Sequence, residues 1–247
     1  MLILQNYFKN NNVVQCNKIG FLYPSADDSG TGLLKEYKMN PLKIVACVLI
    51  GYLLGTISPS ALLSKFKHIN LRKKGTGNLG ATNVMLNLGK RYAILVLLFD
   101  MAKAVAAVKL IELIFSDMIL GLISGVSAII GHIFPFYMRF KGGKGLACFA
   151  GLVLAFDPWI FLILLILTVV LIIIVNYTFA MPYSAGILFP VMALVKSESW
   201  TVLILTAIAS ALILYKHFEN VVKARNGTDT KIREFIKTKL FKKTTND

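Results

Sequence analysis

Charge is scarce in this chain, and acidic charge is scarcest. Only 16% of its 247 residues are charged, and Asp and Glu together number 12. An ordinary soluble domain carries about 25% charged residues, so a globule with a charged shell is excluded. Cysteine is sparse too. Cys16, Cys47 and Cys148 make an odd count without C-x-x-C spacing, which gives neither a disulfide framework nor a zinc site. Cys47 and Cys148 stand in apolar surroundings and read as small buried hydrophobes. The first 40 residues lack the long apolar core of a cleavable signal peptide and read as an extension, with Met39 as an alternative start. No segment matches G-x-x-x-x-G-K-[ST], which removes a nucleotide-binding P-loop.

What the chain has is apolar length. Hydrophobic residues make up 56% of it, and a helix needs about 20 largely apolar residues to cross a bilayer. Pro41–Ser64, Tyr92–Phe115, Met118–Met138, Trp159–Ile174 and Thr201–Tyr215 qualify, some slightly short. Leu146–Phe156 is short, and Phe179–Val195 is interrupted by Pro182, Gly186 and Pro190; membrane helices tolerate such breaks where neighbours satisfy the freed backbone. The expected fold is an all-α polytopic membrane protein of about seven spans. Its expected parts are an extension over 1–40, a membrane domain over 41–222 and a basic tail over 223–247.

The net charge of +15 would point to nucleic acid in a soluble protein. Here the basic residues flank apolar spans and no aromatic–basic RNA-binding pattern appears. They read instead as the positive-inside bias and as attraction to anionic lipid. Lys65, Lys67, Arg72, Lys73, Lys74, Lys90 and Arg91 follow the first span, Arg139, Lys141 and Lys144 the third, and Lys216, Lys223 and Arg225 the last. The opposite connections, Ser116–Asp117, Asp157–Pro158 and Lys196–Ser199, are poor in basic residues. The bias places the basic loops and the C-terminus in the cytoplasm and the N-terminal extension outside.

Three polar clusters interrupt the apolar pattern. The first is Arg72-Lys-Lys-Gly-Thr-Gly-Asn-Leu-Gly-Ala-Thr-Asn83. Gly75, Gly77 and Gly80 allow tight turns and close approach to an anion, and successive N–H groups can form an anion-binding nest. Thr76, Asn78, Thr82 and Asn83 add short donors; the alternative is a plain surface loop. The second is Phe140-Lys-Gly-Gly-Lys-Gly-Leu146, preceded by Gly131-His-Ile-Phe-Pro135. A helix starting under a Gly-Gly turn is a natural phosphate site, and a tight turn with snorkelling lysines is the alternative. The third is Tyr215-Lys-His-Phe-Glu-Asn220. His217 and Asn220 can share one helix face, with His217 either a general base or an interfacial cap of the helix end. Asp100 and Lys103, also on one face, read as a functional pair or a local ion pair.

Together these clusters resemble the motif regions of bacterial acyl-phosphate:glycerol-3-phosphate acyltransferases, in order and spacing, over residues from about 41 to 230. Gly-Thr-Gly-Asn-x-Gly-Ala-Thr-Asn and Phe-Lys-Gly-Gly-Lys-Gly carry the resemblance. It implies transfer of an acyl chain from acyl phosphate to the carbon-1 hydroxyl of glycerol 3-phosphate, in the bacterial inner membrane, without metal, CoA or other cofactor. It implies a phosphate-binding role for Arg72, Gly75, Gly77, Asn78, Gly80, Asn83, Lys103, His132, Lys141, Gly142, Gly143 and Lys144, and a catalytic one for Thr76, His217 and Asn220. Either His217 or a substrate phosphate takes the proton. The chain departs from the family pattern at Asn70 (usually Asp), Thr76 (Ser), Leu86 (Arg), Cys148 (Thr), Lys223 (Arg) and Asp229 (Glu). Leucine cannot replace an Arg fork on phosphate, so Leu86 admits a rival reading, a paralogue that binds phosphate-bearing lipid without catalysis. No histidine starts the H-x-x-x-x-D motif of the other major acyltransferase type. The clusters gather at one interface, unlike the midplane sites of transporters.

Overall fold

The computed structural model describes residues 40–228. The extension over 1–39, with Cys16, and the tail from 229 onward, with Asp229, lie outside the described residues. Among the described residues every regular element is helical: α1 (Pro41–Thr56), α2 (Pro59–Phe66), α3 (Ala81–Leu88), α4 (Lys90–Phe115), α5 (Met118–Ile133), a 3₁₀ turn (Phe136–Met138), α6 (Leu146–Phe156), α7 (Pro158–Val175), α8 (Ala180–Ser197) and α9 (Trp200–Arg225).

The helix ends follow local chemistry. Asn40 accepts from Leu42 N–H ahead of Pro41, and Asp117 from Ile119 and Leu120. Asp157 accepts from Ile160 N–H ahead of Pro158, so each side chain satisfies N–H groups that a helix start leaves orphaned. Proline fits the first helical position, and the residue before it is driven to extended backbone. That rule breaks the first apolar run: Ser58 is extended ahead of Pro59 and caps α2. The expected first span is therefore two helices with a bend.

Helices stand at all seven expected spans. Among the described residues five segments are long and apolar enough to cross a membrane: Pro41–Phe66, Met118–Met138, Pro158–Val175, Ala180–Ser197 and Trp200–Arg225. α4 adds 26 residues that include Asp100 and Lys103. α6 has 11 residues, a rise of roughly 16 Å against a hydrocarbon core of about 30 Å. At the other end α9 runs on to Arg225, past the expected 222/223 boundary, and keeps His217 and Asn220 helical.

Small residues let α1 and α5 touch. A Cβ on Gly51 would fall on the Ser124 carbonyl, one on Gly55 on the Ala128 carbonyl, and one on Gly131 on the Tyr52 carbonyl. Close backbone approach of this kind drives helix association in lipid. Tyr52 and Tyr137 fasten the same seam, donating to the Phe134 carbonyl at 2.8 Å and the Thr56 carbonyl at 2.5 Å. The main core draws on α4, α5, α6, α7, α8 and α9, and within it Phe189 meets Phe149 and Phe156 edge-on with centroids 5.6 and 5.7 Å apart. α7 leaves Ile163, Ile166, Ile173 and Ile174 exposed, as a lipid-facing helix does. Replacing Gly55 with leucine is expected to destabilise the bundle by at least the ~1–3 kcal/mol typical of overpacking. Thermal unfolding in detergent reads this as a clear drop in Tm; an unchanged Tm refutes the close seam.

Candidate active site

The first glycine loop, residues 70–80, is built around Asn83. That side chain is 1% exposed. Its oxygen accepts from Thr76 N–H at 2.9 Å, and its NH₂ donates to the Leu71 carbonyl at 2.7 Å, which fixes the amide orientation. Gly75 and Gly77 have φ of 58° and 71°, left-handed values that glycine adopts without penalty. Asn83, expected on phosphate, is thus the loop's internal brace. Thr76 is exposed, and its hydroxyl accepts from Asn78 N–H at 3.4 Å. Gly80 starts α3 without a side-chain cap. Beside the loop an open groove of about 480 Å³ is lined by Lys65, His68, Asn70 and Arg72, with Leu79 and Met138. No carboxylate lines it, so the local field is positive.

The second glycine loop doubles back on the end of α5. Gly142 N–H donates to the Ile133 carbonyl at 2.9 Å and Gly143 N–H to the His132 carbonyl at 3.1 Å. Those two donors serve the chain's own carbonyls. Glycine is needed there because the backbones touch: a Cβ on Gly142 would fall on the His132 carbonyl and one on Gly143 on His132 Nε2. Gly145, φ 86°, then starts α6, again without a side-chain cap. Arg72 joins the two loops, its guanidinium donating to the Lys141 carbonyl and lying 3.8 Å from Met138 Sδ.

Lys144 meets α9. Its ammonium donates to Asn220 Oδ1 at 2.5 Å and lies 3.7 Å from Glu219, while Glu219 also binds Lys223 at 2.5 Å. Burial holds the Lys144 pKa below the usual lysine value; Glu219 opposes the shift, and Lys223 and Lys216 add to it. One turn back, His217 is 6% exposed and its Nδ1 lies 2.9 Å from the Ile213 carbonyl. A carbonyl only accepts, so Nδ1 carries hydrogen and Nε2 is left with a lone pair in the neutral ring.

Lys103 and His132 are buried. They are 5% and 6% exposed, and Asp100 is 2% exposed. Lys103 Nζ lies 2.7 Å from Asp100, 2.6 Å from the Ile57 carbonyl and 2.9 Å from His132 Nδ1. Asp100, His132 and Cys148 bring ligand-type atoms within 4.8 Å of one another, but the Lys103 ammonium already supplies the cation that this set would hold. The expected local ion pair is thus part of a larger buried network. The missed partner is the Ile57 carbonyl, and its signal was Pro59, which ends the first helix and frees that oxygen. Lys90 and Arg91 are exposed at the start of α4, and Leu86 is half-buried on α3.

The fold and site define a class: an all-α membrane protein whose polar clusters converge at one end of the helices on uncapped helix starts and a lysine. The comparisons narrow it. A family model described as glycerol-3-phosphate acyltransferase matches residues 45–227. The glycerol-3-phosphate acyltransferase of Exiguobacterium sibiricum is 36% identical over 202 residues, covering 80% of this chain and 98% of the relative. That of Macrococcus caseolyticus is 36% identical over 196 residues, covering 78% and 98%. Among solved structures, the glycerol 3-phosphate form of PlsY (YgiH), an integral membrane glycerol 3-phosphate acyltransferase, superposes with a TM-score of 0.71 at 30% identity, over 76% of this chain and 94% of that one. Its lysophosphatidic acid form gives 0.69 at 29% identity, with the same coverage. The chain belongs to the glycerol-3-phosphate acyltransferase family.

Proposed function

We propose that the protein transfers an acyl chain from acyl phosphate to the carbon-1 hydroxyl of glycerol 3-phosphate, giving lysophosphatidic acid and inorganic phosphate. The observation that carries this reading is the meeting of Lys144, Asn220 and His217 beside two helix starts, α3 and α6, that lack side-chain caps. Helix N-termini and an ammonium favour phosphate, and both substrates carry it. The hydroxyl oxygen attacks the acyl carbonyl carbon, the carbon–oxygen bond to phosphate breaks, and phosphate leaves with the electron pair. His217 Nε2 takes the hydroxyl proton. Lys144 opposes the charge gathering on the departing group, a term that grows toward the transition state. Asn220 holds Lys144, Thr76 and Asn78 present short polar groups from the first loop, and Arg72 keeps the loops together. The charge bias of the loops supports a bacterial cell membrane location with this face cytoplasmic.

The test is phosphate release by the full chain in lipid with palmitoyl phosphate and glycerol 3-phosphate. Release that requires both compounds and no CoA is the expected result. No release by folded protein across several acyl chain lengths, with glycerol 3-phosphate still bound, overturns it. That outcome favours the non-catalytic paralogue, for which the half-buried Leu86 is the specific argument.

A further inference from the structure

An ammonium has three N–H donors, and the three acceptors within 2.9 Å of Lys103 are the Ile57 carbonyl, Asp100 and His132 Nδ1. The group is therefore held inside the protein by two hydrogen bonds and an ion pair. Asp100 is 3.3 Å from the same ring nitrogen, so Nδ1 sits at the ion pair and Nε2 forms the opposite edge of the ring. That edge faces Gly143, leaving no room for a side chain there. The His132 carbonyl accepts from Gly143 N–H, so one residue grips Gly143 by ring and backbone. A Cβ on Gly143 would also stand 2.8 Å from the Leu79 carbonyl. Gly143 is thus wedged between His132 and the first loop, and Lys144 follows it directly.

We propose that Asp100, Lys103 and His132 form a positioning unit under the second glycine loop, which sets where the Lys144 ammonium stands and touches no substrate. This rests on the proposed function for its kinetic readout. Removing Asp100 or Lys103 leaves the other charge buried without its partner, a costly state in a membrane helix, and the ring relaxes away from Gly143; removing His132 takes away the ring that meets Gly143.

The sign of charge separates this from direct phosphate contact. If Lys103 met phosphate, Asp100→Asn would remove a negative charge near an anion and leave KM for glycerol 3-phosphate equal or lower. As a positioning unit, Asp100→Asn, Lys103→Met and His132→Gln each raise that KM, by roughly ten-fold or more, and the Asp100→Asn/Lys103→Met pair is no worse than its worse member, since both act through one contact. The full chain is assayed in lipid, with Tm measured on each variant, and His132→Gln serves if the charge variants fail to fold. Inorganic phosphate binding is measured in parallel and needs no turnover. Weaker phosphate binding in the variants supports the unit even if the wild type does not transfer acyl groups. Folded Asp100→Asn with KM and phosphate affinity at or better than wild type, or additive effects in the double variant, overturns it.

Discussion

Lys144→Ala is expected to lower kcat/KM by about 10²- to 10³-fold, the range seen when one preorganised group at a developing charge is removed. The ammonium is held by Asn220 and Glu219, so its position is set before substrate arrives. The deletion leaves the main core untouched, and Tm should stay near the wild-type value. The sign of the pH effect follows from the burial that depresses the Lys144 pKa. Its charge is full at low pH and is lost on going up through a value below that of an ordinary lysine. KM for glycerol 3-phosphate therefore climbs at alkaline pH sooner than an exposed lysine would allow. Lys144→Arg, which stays charged, flattens that climb even if it lowers the rate. Steady-state kinetics between neutral and alkaline pH decide it; a kcat/KM in Lys144→Ala equal to wild type removes the lysine from the site.

The second large effect is at His217. Its alanine variant is expected to lose about 10²- to 10⁴-fold in kcat, the usual contribution of a placed general base, with KM changed less. The Ile213 carbonyl holds Nδ1 and leaves Nε2 as the lone pair that accepts the proton. Added imidazole should restore part of the rate. A loss under ten-fold without rescue assigns the proton to a substrate phosphate and leaves His217 as a positioning group.

The sequence made the helical membrane architecture legible because apolar length is read directly, and helices stand where those lengths predicted. It left Leu146–Phe156 the weakest span, since apolar character over 11 residues marks burial as well as a bilayer. It found the three polar clusters, and the structure brings Arg72 to Lys141 and Lys144 to Asn220. It could not sort the glycines by role. Gly75 and Gly77 serve left-handed backbone, while Gly142 and Gly143 serve contact with His132, and glycine looks the same for both purposes. Nor could it place Lys103, because a lysine three residues from an aspartate reads as an ion pair whether it faces phosphate or, as here, also a buried carbonyl and a ring.

The clasp between the two glycine loops has an evolutionary consequence. Arg72 grips a main-chain oxygen of residue 141, an atom that every amino acid supplies. The side chain at 141 is then free to drift without loosening the clasp, while the guanidinium at 72 is not. Paired substitution across relatives would leave no trace of a contact whose two ends evolve independently.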